Sequence, residues 1–135
     1  IPILGICGGM QLMGLVDNYN CNSNEIIVKN ESIIDHFKRG EKYVHKVNIN
    51  KDSILYKILK KDVIDVNSRH NYHINNVNKL NISAISEDGI IEAVEQSNKR
   101  FVLGLEWHPE VMLDYDEDAN KIYEYFIREC SLTNK

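Results

Sequence analysis

The sequence predicts an α/β domain with a mostly parallel central sheet and flanking helices, and three observations predict it. Residues 1–6 (IPILGI) form a short, wholly apolar run, the pattern of a strand buried on both faces in a parallel sheet. That run passes without a loop into apolar residues at helical spacing, so strand and helix meet at a sharp turn. A second apolar run, residues 101–106 (FVLGLE), lies near the other end and precedes an amphipathic helix. An antiparallel set of strands is expected between the two, appended after the first helix.

Each element has its own reason. Pro2 is tolerated in the first strand only because it stands at its start. From Gly9 onward Met10, Leu12, Met13 and Val16 mark a helix, and Asp17-Asn18-Tyr19-Asn20 closes it with turn residues. Residues 25–28 read as a short strand, and the polar stretch to Gly40 has no clear period. Residues 43–50 alternate, with His45, Val47 and Ile49 on one face, as a strand does. Asp52 or Ser53 caps a short helix through Leu59, and residues 63–66 form a strand that enters the polar loop 67–73. Residues 80–86 and 90–96 flank Glu87-Asp88-Gly89 as a hairpin. The last helix is capped by Asp116 or Asp118, with Ile122, Tyr123, Phe126, Ile127 and Cys130 as its expected buried stripe.

Composition narrows the function classes. The 135 residues suit one domain, and 43% hydrophobic with 27% charged residues is ordinary for a packed core. Sixteen basic against twenty acidic residues give a net charge of −4, without the basic footprint of a nucleic-acid or anionic-membrane binder. Three cysteines, Cys7, Cys21 and Cys130, are too few and too odd for a disulfide scaffold, so a reducing compartment, the cytoplasm, is expected. No apolar run reaches the ~18 residues of a membrane span.

Two short segments carry chemistry. Gly5-Ile6-Cys7-Gly8-Gly9 has the G-x-nucleophile-x-G form of a nucleophile elbow, which lifts Cys7 above the sheet edge at the mouth of a helix. There the macrodipole and free N–H groups are expected to favour thiolate. Taken alone, the segment also fits a small buried thiol in a tight turn. His108 precedes Pro109, and an extended His-Pro-Glu projects His108 and Glu110 to one side, where the carboxylate would set the imidazole tautomer. His36 and His73 read as surface residues, His45 as a structural strand residue, and no Cys/His spacing suggests zinc.

Together, GICGGMQ around Cys7 and LEWHPE around His108 resemble the class I glutamine amidotransferases. VNSRHNYHI (66–74), DGIIEAVE (88–95) and FVLGLEWHPE (101–110) look most like the γ-glutamyl hydrolase branch, which includes γ-glutamyl-γ-aminobutyrate hydrolase. The resemblance implies a flavodoxin-like three-layer fold in which residues 1–135 are the C-terminal part of a single domain. About a hundred residues would precede the elbow in such a domain, to be supplied by upstream residues or a second chain. It implies Cys7, His108 and Glu110 as the catalytic triad, Gly8 as an oxyanion-hole donor, and Gln11, Ser68 and His70 as substrate-binding residues. Gly8 departs from the arginine that many members of the branch carry after the nucleophile.

The implied reaction is cysteine-dependent hydrolysis of a γ-glutamyl amide through a glutamyl thioester, releasing glutamate, with no metal or organic cofactor. The substrate would be glutamine or a γ-glutamyl conjugate of a small amine or nucleotide. Two alternatives stay open. One is a glutaminase component that delivers ammonia to a partner synthetase, and the other is a truncated relative that only binds.

Overall fold

The structure, a computed structural model, describes residues 1–19, 25–96 and 100–133. Cys21 and Asn20 lie outside the described residues. In chain order the elements are β1 (Ile3–Ile6), α1 (Gly8–Asp17), β2 (Ile27–Lys29), β3 (His45–Ile49), α2 (Ile54–Leu59), β4 (Val63–Val66), β5 (Tyr72–Ile74), β6 (Asn81–Ser86), β7 (Ile91–Glu95), β8 (Val102–Leu105), a 3₁₀ turn (Pro109–Val111) and α3 (Glu117–Thr133).

The expected mostly parallel sheet is corrected. The main sheet runs β1-β8-β7-β6-β3-β4, and only β1 and β8 are parallel; its other four pairs are antiparallel. The reason lies in the connections, because a parallel pair needs a long crossover whereas a hairpin turn gives an antiparallel one. β6 and β7 are joined across Gly89, whose φ of 91° suits glycine, and β3 and β4 are joined by the short helix α2. β1 and β8, separated by most of the chain, are the pair that runs parallel. A separate antiparallel pair, β2 with β5, lies beside α1.

Two apolar clusters hold the layers. On one face, α2 and α3 cover Val47, Leu55, Leu103, Leu105, Trp107 and Ile122. On the other, α1, β5 and the sheet enclose Met10, Ile74, Leu80, Ile91 and Val94. The end signals work as the sequence suggests. The Ser53 hydroxyl accepts from Tyr56 N at 3.0 Å, Asp116 Oδ2 accepts from Ala119 N at 2.9 Å, and the Asn18 side chain donates to Gly14 O at 2.8 Å. The stripe of α3 is narrower than expected, since Ile122 is buried while Ile127 is 62% exposed. Among the described residues no helix is long and apolar enough to cross a membrane.

Candidate functional site

The parallel pair places two functional segments at one sheet edge. Cys7 follows β1, and its N–H donates to Leu105 O at 2.7 Å, so the chain leaving β8 runs past it. Cys7 adopts φ 51° and ψ −104°, a conformation costly for a residue with a Cβ, as the N-cap of α1. The close crossing depends on glycines other than the two after the thiol. A Cβ on Gly5 would stand 2.9 Å from Met13 Sδ, and one on Gly104 3.0 Å from Met10 Cγ, whereas Gly8 and Gly9 face open space.

His108 is held from behind. The buried Asn67 side chain accepts from His108 N at 2.8 Å and donates to His108 O at 2.9 Å, fixing its backbone. The following residues form a 3₁₀ turn rather than an extended run, and His108 Nδ1 still meets Glu110 Oε2 at 2.6 Å. A neutral imidazole donating from Nδ1 to Glu110 keeps a lone pair on Nε2.

The floor beneath Cys7 is acidic and closed. Glu106 is fully buried; its carboxylate accepts from Gln11 Nε2 at 3.1 and 3.3 Å and is hydrogen-bonded by the Cys7 thiol. Burial pushes the Glu106 carboxyl up to about 8, with the charge of Glu92 adding to the rise and His70 opposing it. Gln11 also donates to Tyr72 O at 3.0 Å. His70 is buried, with Nδ1 2.8 Å from Tyr72 O and Nε2 3.3 Å from Glu92 Oε2. Burial works to lower His70, but the hydrogen bond and charge of Glu92 and the charge of Glu106 win and raise it to about 9. Ser68 is fully buried, and its hydroxyl lies 3.2 Å from His36 Nδ1.

These facts correct the expectation of a cysteine-dependent route through a thioester. Burial first, then the charge of Glu106, drives the Cys7 thiol up to about 11, against the help of the Gly8 N–H that hydrogen-bonds it. The helix mouth is outweighed, because one N–H cannot offset desolvation and a carboxylate beneath the sulfur. Among the described residues no hydrogen bond joins Cys7 to His108, so no Cys-His-Glu triad is closed. The ligating side chains that the fold does converge are His36, His45 and Glu92, and neither Cys7 nor Cys130 belongs to that group. His36, read as a surface residue, is 2% exposed. Sequence reasoning therefore missed Asn67, Glu92 and Glu106 as well as the burial of His36. The signal available was acidic residues within apolar strand patterns, at positions 92 and 106.

Comparison with known proteins agrees with the fold. The family model described as Peptidase C26 matches residues 1–110. A Schizosaccharomyces pombe protein named "Putative glutamine amidotransferase" is 35% identical over 128 residues, covering 94% of this chain and 50% of its own length. The Escherichia coli γ-glutamyl-γ-aminobutyrate hydrolase PuuD is 29% identical over 137 residues, covering 96% of this chain and 54% of its own. The chain thus spans about half the length of these relatives. The glutaminase domain of Trypanosoma brucei CTPS, solved with bound acivicin, shares the fold with a TM-score of 0.72 at 23% identity, over 97% of this chain and 60% of that one.

Proposed function

The chain belongs to the Peptidase C26 family of class I glutamine amidotransferase-like proteins, and on that premise we propose that residues 1–135 are a γ-glutamyl-binding module, the C-terminal part of one such domain. One observation carries the reading: the elbow thiol is hydrogen-bonded to the buried Glu106 and, among the described residues, not to His108, which is engaged by Glu110 instead. With the thiol near 11, about one molecule in ten thousand carries thiolate at pH 7. A site of that kind holds an amide better than it attacks one.

The residues expected at the site act here as binding groups. The carbonyl of a γ-glutamyl amide is placed at the mouth of α1 beside Cys7 and Gly8, and the free Nε2 of His108 accepts the amide N–H. Glu110 keeps that tautomer, and Gln11 ties the helix to the carboxyl of Glu106. Ser68 and His70 support the wall from inside. Titration calorimetry with glutamine, run beside an assay of glutamate release, tests this. Saturable binding with no release above buffer is the expected result, and rapid release of glutamate by the chain would refute it.

A second reading, a glutaminase component that works with a partner, is favoured by the apolar edge at β1. Ile1, Leu12 and Val16 are 94%, 60% and 69% exposed, and among the described residues β1 is paired on one side, by β8. That surface suits a further strand and helix, from upstream residues or another chain. Co-expression with such a segment should then raise glutamate release; unchanged rates would exclude this second reading.

A further inference from the structure

Behind the sheet-edge site lies a second constellation that the γ-glutamyl reading does not use. His36, His45 and Glu92 come from a loop, from β3 and from β7, and all three are buried. Each imidazole has one nitrogen committed outward. His36 Nε2 is 2.6 Å from Asp88 Oδ2, and His45 Nδ1 is 3.1 Å from Lys46 O. A carboxylate and a carbonyl oxygen both need a donor, so those nitrogens carry protons. The opposite nitrogens, His36 Nδ1 and His45 Nε2, face Glu92 Oε2 at 3.6 and 3.8 Å and are the ones free to ligate. The Ser68 hydroxyl lies 3.2 Å from His36 Nδ1.

His70 meets the Glu92 carboxylate from one side only, and buried polar atoms left without a partner are costly. Two atoms here stay unsatisfied: among the described residues His45 Nε2 and Glu92 Oε1 are buried with no hydrogen-bond partner. The geometry points to a divalent transition-metal site of the zinc type, with His36 Nδ1, His45 Nε2 and the Glu92 carboxylate as its protein ligands. With metal–ligand bonds of ~2.0–2.1 Å, the edge of a tetrahedron is about 3.3 Å, close to the separations seen. Nitrogen and carboxylate donors without thiolate suit zinc, cobalt or nickel over softer or harder ions. The outer groups are those that tune such sites, with Asp88 and the Lys46 carbonyl fixing the two rings. His70 Nε2, 3.3 Å from the same Glu92 oxygen, steadies the carboxylate from a third side. A cleft of about 290 Å³ lined by Asn30, His36, Phe37 and His70 lies on the His36 side of the cluster.

The test is titration of the metal-stripped full-length chain with Co²⁺ alone, followed by its visible absorption, and then with Zn²⁺ as competitor. One equivalent of Co²⁺ should bind with tetrahedral bands and be displaced by Zn²⁺. His45→Gln should weaken binding at least ~100-fold, and Asp88→Asn, which keeps every ligand, about 10- to 100-fold. His108→Ala should keep the wild-type affinity, which separates this site from the γ-glutamyl one. Circular dichroism on each variant distinguishes a lost site from a lost fold. Absence of saturable Co²⁺ uptake by the wild type would overturn the assignment, as would equal uptake by wild type and a folded His45→Gln or Asp88→Asn. Glutamine binding is read in a separate titration, so either reading can fail alone.

Discussion

The half-exposed site at the edge of β1 and β8 and the buried cluster behind it both pair histidines with carboxylates, yet they are built in opposite ways. At the edge, each working pair is local in sequence: Cys7 with Gly8, His108 with Glu110. Their side chains reach solvent, with those of His108 and Glu110 22% and 41% exposed. In the cluster, residues 36, 45, 70 and 92 are brought together by the fold, and none of the four is more than 4% exposed. Water screens the first pair, so its net contribution to stability is small. Nothing screens the second, so its energetics depend on every partner being present.

The largest effect expected from this contrast is at Glu92. Glu92→Ala leaves the buried His70 without its carboxylate partner and should cost about 3–5 kcal/mol, while His108→Ala should stay within ~0.5 kcal/mol as a partly exposed position. Urea unfolding of both variants checks it, and equal losses would erase the distinction between the regions. Next comes the crossing beneath the elbow. Gly5→Ala forces a Cβ against Met13 and the Gly9 backbone and should cost ~1–3 kcal/mol. Gly8→Ala, which meets open space, should be within ~0.5 kcal/mol in the same experiment.

Asn67→Ala sharpens the comparison from the other side, because it removes a buried clamp from the exposed histidine. It should destabilise the chain by about 1–3 kcal/mol and weaken glutamine binding, whereas an unchanged glutamine affinity would show that His108 does not need its clamp. The smallest expected effect is a rate. Alkylation of Cys7 by iodoacetamide should climb about tenfold per pH unit from neutrality towards 11, since thiolate appears only as pH approaches the raised value. Glu106→Gln removes a negative neighbour, lowers the thiol's pKa and should speed labelling at pH 8. Peptide mapping that finds slower labelling in this variant would reverse the sign assigned to Glu106.

The sequence makes the edge site legible and hides the cluster for the same physical reason. A nucleophile turn and a His-Pro-Glu are short-range patterns, written in adjacent residues, and so are the caps at Ser53 and Asp116. Strand direction is a long-range property. The apolar runs 1–6 and 101–106 announce strands and form the one parallel pair among the described residues, and the turn at Glu87-Asp88-Gly89 announces the β6–β7 hairpin. Nothing local states that the antiparallel strands join β8 in one sheet and outnumber the parallel pair. β5 was hidden because Tyr72-His73-Ile74 is three residues long and finds its partner, β2, more than forty positions away. His36 looks like a surface histidine in a polar stretch, and only the approach of Asp88 from the β6–β7 turn encloses it. The pKa of Cys7 was misjudged because the helix mouth is visible in sequence, while the carboxyl beneath the sulfur comes from position 106.

The central claim is that this chain binds a γ-glutamyl amide without covalent attack by Cys7. Intact-protein mass spectrometry after rapid acid quench of the chain with excess glutamine measures it most directly, because a thioester adds a glutamyl group to the polypeptide. The account predicts an unchanged mass at neutral pH, together with saturable glutamine binding under the same conditions. A glutamyl adduct that maps to Cys7 and disappears in Cys7→Ser would contradict it.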